Sequence, residues 1–258
     1  MNYNQKHRPI RPGLKIGNGS IGFFVVYEDK RYLATATHIL GLEREGVSIN
    51  QPTTSLDKIA TVDKLFKTNQ DEYVPDFALA LIKPHIRASN KLIESGLKPE
   101  QILEPEVGME IIAIGRNSGE VKGEITHIDR DVMFNHARRA ALFSHTAEMQ
   151  PGDSGGGIIC VDPPAIVGLN VSPRLGQSVF CALEMMGLEG VKPLTMDIEL
   201  EIGNKKLKTA DGEKEMDVEP FIKDGRTFVP LRFVSEALGA RVDWEPKEGK
   251  TKEVYIYR

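Results

Sequence analysis

The chain has 258 residues and a net charge of −4, with 33 basic and 37 acidic side chains, so the basic excess typical of nucleic-acid-binding proteins is missing. The sequence contains no run of 18 or more apolar residues and therefore predicts no transmembrane segment. The length suffices for one domain of ordinary size together with a small second unit.

The start of the chain and its cysteine content indicate where the protein resides. Residues 1–9 are polar and basic with no apolar stretch behind them, which does not match a signal peptide. The chain as given is therefore expected to be cytoplasmic, or secreted or at the cell surface if a leader was removed. Only two cysteines occur, Cys160 and Cys181, and we expect each to fill a small buried site rather than form a disulfide.

Residues 14 to about 182 are predicted to form mainly short β-strands. Residues 20–27 and 32–36 have the pattern of a hairpin around a polar turn at 28–30. Further strands are predicted at 77–82, 110–114, 123–129, 140–146, 157–161, 166–171 and 178–183. Many short strands separated by Gly, Pro, Asn and Asp favour a barrel or sandwich over alternating strands and helices.

The composition changes near residue 190, and we place a domain boundary within 187–193. Residues 197–202 alternate strictly between charged and apolar side chains, the pattern of a strand with one solvent-exposed face. Turn signals at Gly203-Asn204 and Asp211-Gly212 predict a meander of two or three strands.

A single helix is predicted within this second unit. It begins at Pro230, where the missing N–H costs nothing, and Gly239 ends it. Its apolar face is formed by Leu231, Val234, Ala237 and Leu238, and Val242, Trp244, Val254 and Ile256 belong to closing strands. The predicted domains are therefore 1–190 and 191–258, the second being a small α+β unit.

Residues 151–156, with the sequence PGDSGG, suggest the chemistry of a nucleophilic serine. The backbone N–H groups of Ser154 and Gly152 can point at one developing oxyanion, and the glycines keep side chains away from an approaching substrate backbone. Such a serine needs a base, which His38 offers at the end of a predicted strand. It also needs a carboxylate to orient that base, which Asp76 offers at the start of another.

Three blocks together resemble the trypsin-like peptidase superfamily: ATATH at 34–38, DFALA at 76–80 and GDSGG at 152–156. Their order of His, Asp and Ser is that of the chymotrypsin-type triad. The resemblance covers about 14–190 and implies two perpendicular six-stranded antiparallel β-barrels with the site between them. A finer similarity is to bacterial and plant members with a GRxxG loop, here 115–119.

The resemblance implies a role for each matching residue. Ser154 would attack the scissile carbonyl, His38 would take its proton, and Asp76 would orient the imidazole. The N–H groups of Gly152 and Ser154 would form the oxyanion hole, and Asp153 would lock the loop. No cofactor is implied.

Substrate preference rests on the residue six positions before the serine, which in this superfamily lies at the base of the primary specificity pocket. Here it is Glu148, whose carboxylate would select Lys or Arg by charge pairing. The pocket wall is expected from Asn170, Val171, Ser172 and Pro173. The alternative is that Glu148 is a solvated surface residue, since the unusual Pro151 can redirect it outward.

The second unit resembles the N-terminal domain of copper amine oxidases, through residues 220–234 and 237–240. Residues 195–258 contain no histidine or cysteine, which excludes copper ligation by imidazole or thiolate. The resemblance implies a non-catalytic docking role toward a cell-surface or assembly partner, and a bacterial source. No metal site is predicted elsewhere, because the histidines other than His38 lack ligand spacing: His7, His85, His127, His136 and His145.

The sequence thus predicts a serine endopeptidase that acts on a protein or peptide substrate and carries an accessory C-terminal domain. The alternative is a catalytically silent protease fold that serves as a binding or assembly module.

Overall fold

The computed structural model describes residues 2–40, 45–52, 57–66, 76–134, 137–172, 177–180, 190–195, 198–209, 212–237, 240–246 and 252–257. The chain divides into two compact units, Met1–Leu194 and Thr195–Arg258. Among the helices found in these ranges, none has the length and apolar character needed to cross a membrane.

The strands of the first unit are β1 (Lys15–Ile16), β2 (Gly19–Ser20), β3 (Phe23–Tyr27), β4 (Lys30–Thr35), β5 (Ser48–Asn50), β6 (Lys58–Phe66), β7 (Phe77–Ile82), β8 (Gln101–Ile102), β9 (Glu110–Gly115), β10 (Gly119–Phe134), β11 (Ala137–His145), β12 (Gly157–Cys160), β13 (Ala165–Ser172), β14 (Gln177–Phe180) and β15 (Lys192–Pro193). A turn of 3₁₀ helix at Thr37–Leu40 follows β4.

The first large sheet has the strand order β15-β3-β4-β7-β6-β5. Its hairpin β3–β4 closes through Glu28 and Asp29, which both have positive φ (48° and 57°), as a two-residue turn matching the strand twist requires. β7 lies between β4 and β6, and its apolar sequence FALALI is buried along almost its whole length. The fully buried Phe23 and Phe77 rings pack with centroids 6.4 Å apart. Burial of each such side chain contributes about 1.5–3 kcal/mol.

The second large sheet closes on itself. Its order is β12-β9-β10-β11-β14-β13-β8, and an additional β12–β13 pairing joins six of these strands into an antiparallel ring. The two-residue β8 is attached outside the ring by parallel pairing with β13. Ile111, Ile125, Phe143, Ile158 and Val167 fill the core of this ring.

The predicted mainly-β architecture is confirmed: the first unit is built of two large β-sheets whose strand pairings are antiparallel except for that of β8. The predicted strand at 77–82 matches β7 residue for residue, whereas β10 begins before and ends after the predicted 123–129. Five strands of the first unit were not predicted, namely β1, β5, β6, β8 and β15, and residues 181–183 of the last predicted strand lie outside the described residues.

The second unit contains β16 (Ile198–Leu200), β17 (Lys206–Thr209), β18 (Gly212–Glu215), β19 (Phe221–Lys223), β20 (Arg226–Phe228), α1 (Leu231–Ala237), β21 (Arg241–Pro246) and β22 (Lys252–Tyr257). β16, β17 and β18 form the predicted meander, while β19–β20 and β21–β22 are hairpins. α1 follows Pro230, whose carbonyl accepts a hydrogen bond from the Val234 N–H at 3.2 Å. Leu238 and Gly239, assigned to the end of this helix, lie outside the described residues.

Candidate active site

His38 and Asp76 are brought together by two neighbouring strands. β4 ends just before the 3₁₀ turn that carries His38, β7 begins just after Asp76, and Thr35 pairs with Ala78 across the two strands. Asp76 Oδ1 accepts the backbone N–H of His38 at 3.0 Å, and Asp76 Oδ2 contacts His38 Nδ1. The carboxylate therefore fixes both the backbone and the ring of the histidine.

The exposure of this pair is asymmetric. The Asp76 side chain is 6% exposed, whereas that of His38 is 45% exposed. The oriented edge of the imidazole is thus buried against the carboxylate, and much of the remaining ring is open to solvent. A general base needs this arrangement, because its second nitrogen must reach an incoming group.

Ser154 lies in the loop between β11 and β12, and this loop packs against the segment that carries His38. A Cβ on Gly155 would lie 2.3 Å from Thr35 Oγ1 and 3.0 Å from Ile39 Cδ1. The Ser154 hydroxyl donates to the Val171 carbonyl at 3.4 Å. Within the described part of the chain, no hydrogen bond joins Ser154 to His38.

Two backbone N–H groups of this loop have no acceptor within the part of the chain that the structure describes. Neither the Gly152 nor the Ser154 N–H donates a hydrogen bond to any residue that the structure describes. Gly152 has a φ of +101°, in a region that residues with side chains rarely adopt. The glycine predicted for the oxyanion hole is thus also the residue that the loop conformation requires.

Asp153 is completely buried, and its carboxylate accepts four hydrogen bonds from described residues. Its Oδ1 accepts the N–H groups of Asn117 at 2.8 Å and of Ser118 at 3.3 Å. Its Oδ2 accepts the Gln150 N–H at 2.8 Å and the Ser118 hydroxyl at 2.5 Å. Residues 115–118, noted in the sequence only for their GRxxG pattern, therefore hold the loop that carries the serine.

Ser20 is a second buried support that sequence reasoning missed. Its hydroxyl donates to the Gly152 carbonyl at 3.1 Å and accepts the Arg116 N–H at 3.0 Å. Its backbone N–H donates to the Ser154 carbonyl at 2.9 Å, and its own carbonyl accepts the Thr35 hydroxyl at 2.8 Å. Ser20 thus joins the loop at 146–156 that carries Ser154, called the serine loop below, to the 115–119 loop and to the strand that leads to His38. A serine inside a predicted strand gives no signal of such a role.

The residues predicted for substrate binding lie in different environments. Glu148 is exposed, while the neighbouring Met149 is buried. Asn170 is completely buried, with its Nδ2 donating to the Ile114 carbonyl at 3.4 Å and its Oδ1 lying 3.3 Å from His145 Nε2. Ser172 ends β13, and Pro173 lies outside the described residues. The substrate-binding role of these residues stays a prediction.

Asn170 also fastens the serine loop through its backbone. The Gly155 N–H donates to the Asn170 carbonyl at 2.7 Å, and the Asn170 N–H donates to the Gly156 carbonyl at 2.8 Å. Beside it, burial lowers the pKa of His145 from its ordinary value of 6.5. His145 is therefore a neutral side chain near pH 7, and it lies next to Asn170.

Among the residues that the structure describes, no group of three or more His, Cys, Asp or Glu side chains is arranged to hold a metal ion. Cys160 is buried with a free thiol, and Cys181 lies outside the described residues.

Known proteins resemble both units. Residues 195–256 match the Copper amine oxidase N-terminal domain family, while no curated protein matches the chain. A solved glutamic acid-specific serine protease, whose structure is described as using a histidine triad in substrate binding, has 18% identity and a TM-score of 0.56. The alignment covers 72% of this chain and 100% of that one.

Two further solved structures resemble the chain to a similar extent. The Nocardiopsis protease NAPase has 17% identity and a TM-score of 0.55, over 72% of this chain and 99% of that one. Cellulomonas bogoriensis chymotrypsin has 19% identity and a TM-score of 0.53, over 72% and 100%. Structural similarity to proteins that are 17–19% identical in sequence shows that the fold is shared, and here it is the chymotrypsin fold. Residues 2–177 match the Trypsin family, and the chain therefore belongs to that family.

Proposed function

We propose that this protein is a serine endopeptidase that hydrolyses peptide bonds through an acyl-enzyme intermediate, with His38, Asp76 and Ser154 as its triad. The observation that carries the proposal is the double contact of Asp76 with the backbone N–H and ring Nδ1 of His38. A carboxylate on Nδ1 keeps the proton on that nitrogen and leaves Nε2 unprotonated, which is the form a general base requires.

The reaction begins when the Ser154 hydroxyl turns from the Val171 carbonyl toward His38. The oxygen attacks the scissile carbonyl as Nε2 of His38 takes its proton, and Asp76 stabilises the imidazolium without being protonated. The oxyanion accepts the N–H groups of Gly152 and Ser154, which have no acceptor among the described residues. His38 then gives the proton to the leaving amine. In the second half of the reaction a water molecule attacks the acyl-enzyme, His38 takes the proton of that water, and His38 returns a proton to Ser154 as the acyl group leaves.

Labelling with a fluorophosphonate tests this proposal directly. The full-length protein should be labelled, Ser154→Ala should not, and the exposed Ser95→Ala should be labelled like the wild type. Wild-type protein that stays unlabelled would favour the alternative of a silent protease fold used for binding or assembly.

Glu148 is the proposed selector of Lys or Arg before the cleaved bond. Its exposed position supports contact with a substrate side chain, although solvent screening limits the strength of an exposed ion pair. Cleavage of a proteome-derived peptide library should enrich Lys and Arg before the cut, and Glu148→Gln should reduce that enrichment. Cleavage without basic enrichment contradicts the assignment.

The second unit is proposed to act as a non-catalytic docking domain. Phe221 and Phe228 on the β19–β20 hairpin are 41% and 45% exposed and stack with centroids 5.1 Å apart, which supports a contact role. Replacing both by serine should leave kcat/KM on a short peptide within about twofold of wild type. A large loss on that short substrate would instead place the unit in the catalytic machinery.

A further inference from the structure

The orientation of one peptide group decides whether Gly152 can serve as an oxyanion donor. The carbonyl of Pro151 and the N–H of Gly152 belong to the same peptide plane, and in a trans peptide they point in opposite directions. The Pro151 carbonyl accepts a hydrogen bond from Asn117 Nδ2 at 2.7 Å. Because Asn117 holds the oxygen on the side of the 115–119 loop, the Gly152 N–H points away from that loop.

The two donors of the proposed oxyanion hole are supported differently. The peptide that carries the Ser154 N–H has its carbonyl, that of Asp153, bonded to the Gly156 N–H at 3.0 Å, so the main chain alone fixes it. For the peptide that carries the Gly152 N–H, the carbonyl partner among the described residues is the Asn117 side chain. The peptide of the Gly152 donor is therefore oriented by a side chain, whereas the peptide of the Ser154 donor is oriented by a main-chain hydrogen bond.

This peptide is also free to turn if it is not held. Its rotation changes ψ of Pro151 and φ of Gly152, and the proline ring restricts neither of them. A turn by half a revolution would place the Pro151 carbonyl where the Gly152 N–H now points. A carbonyl oxygen facing a developing oxyanion would repel it instead of stabilising it.

Asn117 is itself well placed to select one orientation. Its backbone N–H donates to the buried Asp153 carboxylate at 2.8 Å, so its side chain starts from a fixed main chain. Its amide also lies against the glycine, since a Cβ on Gly152 would be 2.7 Å from Asn117 Nδ2.

We infer that Asn117 is a positioning residue of the oxyanion hole, which it controls by holding the Pro151–Gly152 peptide. The inference rests on the proposed function. Asn117→Asp tests it because the change keeps the side-chain shape, removes the donor and places a carboxylate against the Pro151 carbonyl. Asn117→Ala removes the donor without adding charge.

A matched control exists in the same region. Asn4 is exposed and its Nδ2 donates at 3.4 Å to the carbonyl of Arg116, so it contacts the same loop without touching the Pro151–Gly152 peptide. Asn4→Asp makes the same charge change, and any general effect of charge or of loosening the loop should appear in both variants.

The experiment measures kcat and KM of the full-length proteins on a short peptide. Loss of one oxyanion donor typically costs about 100- to 1000-fold in kcat, so Asn117→Asp should lose about 100-fold. A hydrogen bond of ordinary strength favours one orientation of the peptide by about tenfold, so Asn117→Ala should lower kcat by about tenfold. KM should stay within about twofold in both, because the donor acts in the transition state.

A second readout separates positioning from a structural role. Binding of a peptide aldehyde, which forms a tetrahedral adduct, should weaken in parallel with kcat, while binding of a non-covalent product peptide should not change. Asn117→Asp with the kcat and aldehyde affinity of Asn4→Asp would overturn the inference and leave the proposed function standing. Wild-type protein without cleavage or fluorophosphonate labelling would overturn both.

Discussion

Substituting Asp153 with asparagine would keep the shape of a completely buried side chain and remove part of its capacity to accept hydrogen bonds. If the amide oxygen takes the Oδ1 position, it keeps the bonds from the N–H groups of Asn117 and Ser118. The amide NH₂ then faces the Gln150 N–H and the Ser118 hydroxyl, which now donate to Oδ2. The hydroxyl can turn and accept, but the Gln150 N–H has no such option.

The size of the effect follows from these four bonds. A buried donor left unsatisfied costs about 1–3 kcal/mol, and a hydrogen bond to a charged group contributes about 1.5–3 kcal/mol, more than a neutral one. One orphaned N–H together with weaker bonds at the other three positions predicts that Asp153→Asn lowers the free energy of unfolding by about 3–5 kcal/mol. That is a large share of the stability of an ordinary domain.

Urea unfolding of the full-length protein, followed by circular dichroism, measures this loss. The single tryptophan, Trp244, lies in the second unit, so its fluorescence assigns the transition of that unit. The matched control is Asp162→Asn, the same change at an exposed position of the first unit. A loss below about 1 kcal/mol, equal to that of the control, would refute the reasoning that the carboxylate bonds hold the loop.

Two further predictions concern the histidines. Asp76→Asn should lower kcat on a short peptide by about 10⁴-fold, because an amide does not impose the base-competent tautomer on His38; retained kcat would contradict the proposed triad. Burial lowers the pKa of His145 from 6.5 in the folded protein, so as the pH falls the imidazole takes up a proton in the unfolded chain before it does so in the folded one. The contribution of neutral His145 to folding stability is therefore complete above about pH 6.5 and is lost as the pH drops toward the folded pKa. His145→Gln should therefore lose less stability than wild type between pH 7.5 and pH 5.5, measured by urea unfolding; equal losses would contradict this.

The positions of His38 and Asp76 at strand ends were predictable from local patterns. The apolar run at 77–82 indicates a buried strand whose start is Asp76, and the run before His38 indicates another. Once two such strands pair antiparallel, the end of one meets the start of the other. The pairing of Thr35 with Ala78 is this geometry.

The supports of the serine loop were not predictable in the same way. Ser20 contacts Gly152 across 132 positions of sequence, and Asn117 contacts Pro151 across 34. Neither belongs to a periodic pattern, and a polar residue in a turn or short strand looks the same with or without such a partner. Strand β6 was missed for a related reason, since its sequence KIATVDKLF mixes charged and apolar residues without strict alternation.

The two parts of the candidate active site should lose their structure at different denaturant concentrations. His38 and Asp76 flank strands β4 and β7, which are joined by ladder hydrogen bonds, whereas the serine loop depends in large part on side chains from separate segments, among them Ser20, Asn117 and Ser118. Side-chain contacts at loops open at lower cost than the ladders of a buried sheet. Mild denaturant should therefore disorder the Gly152 oxyanion donor while the His38–Asp76 contact persists. Activity should fall at a lower urea concentration than the circular dichroism signal of the sheets.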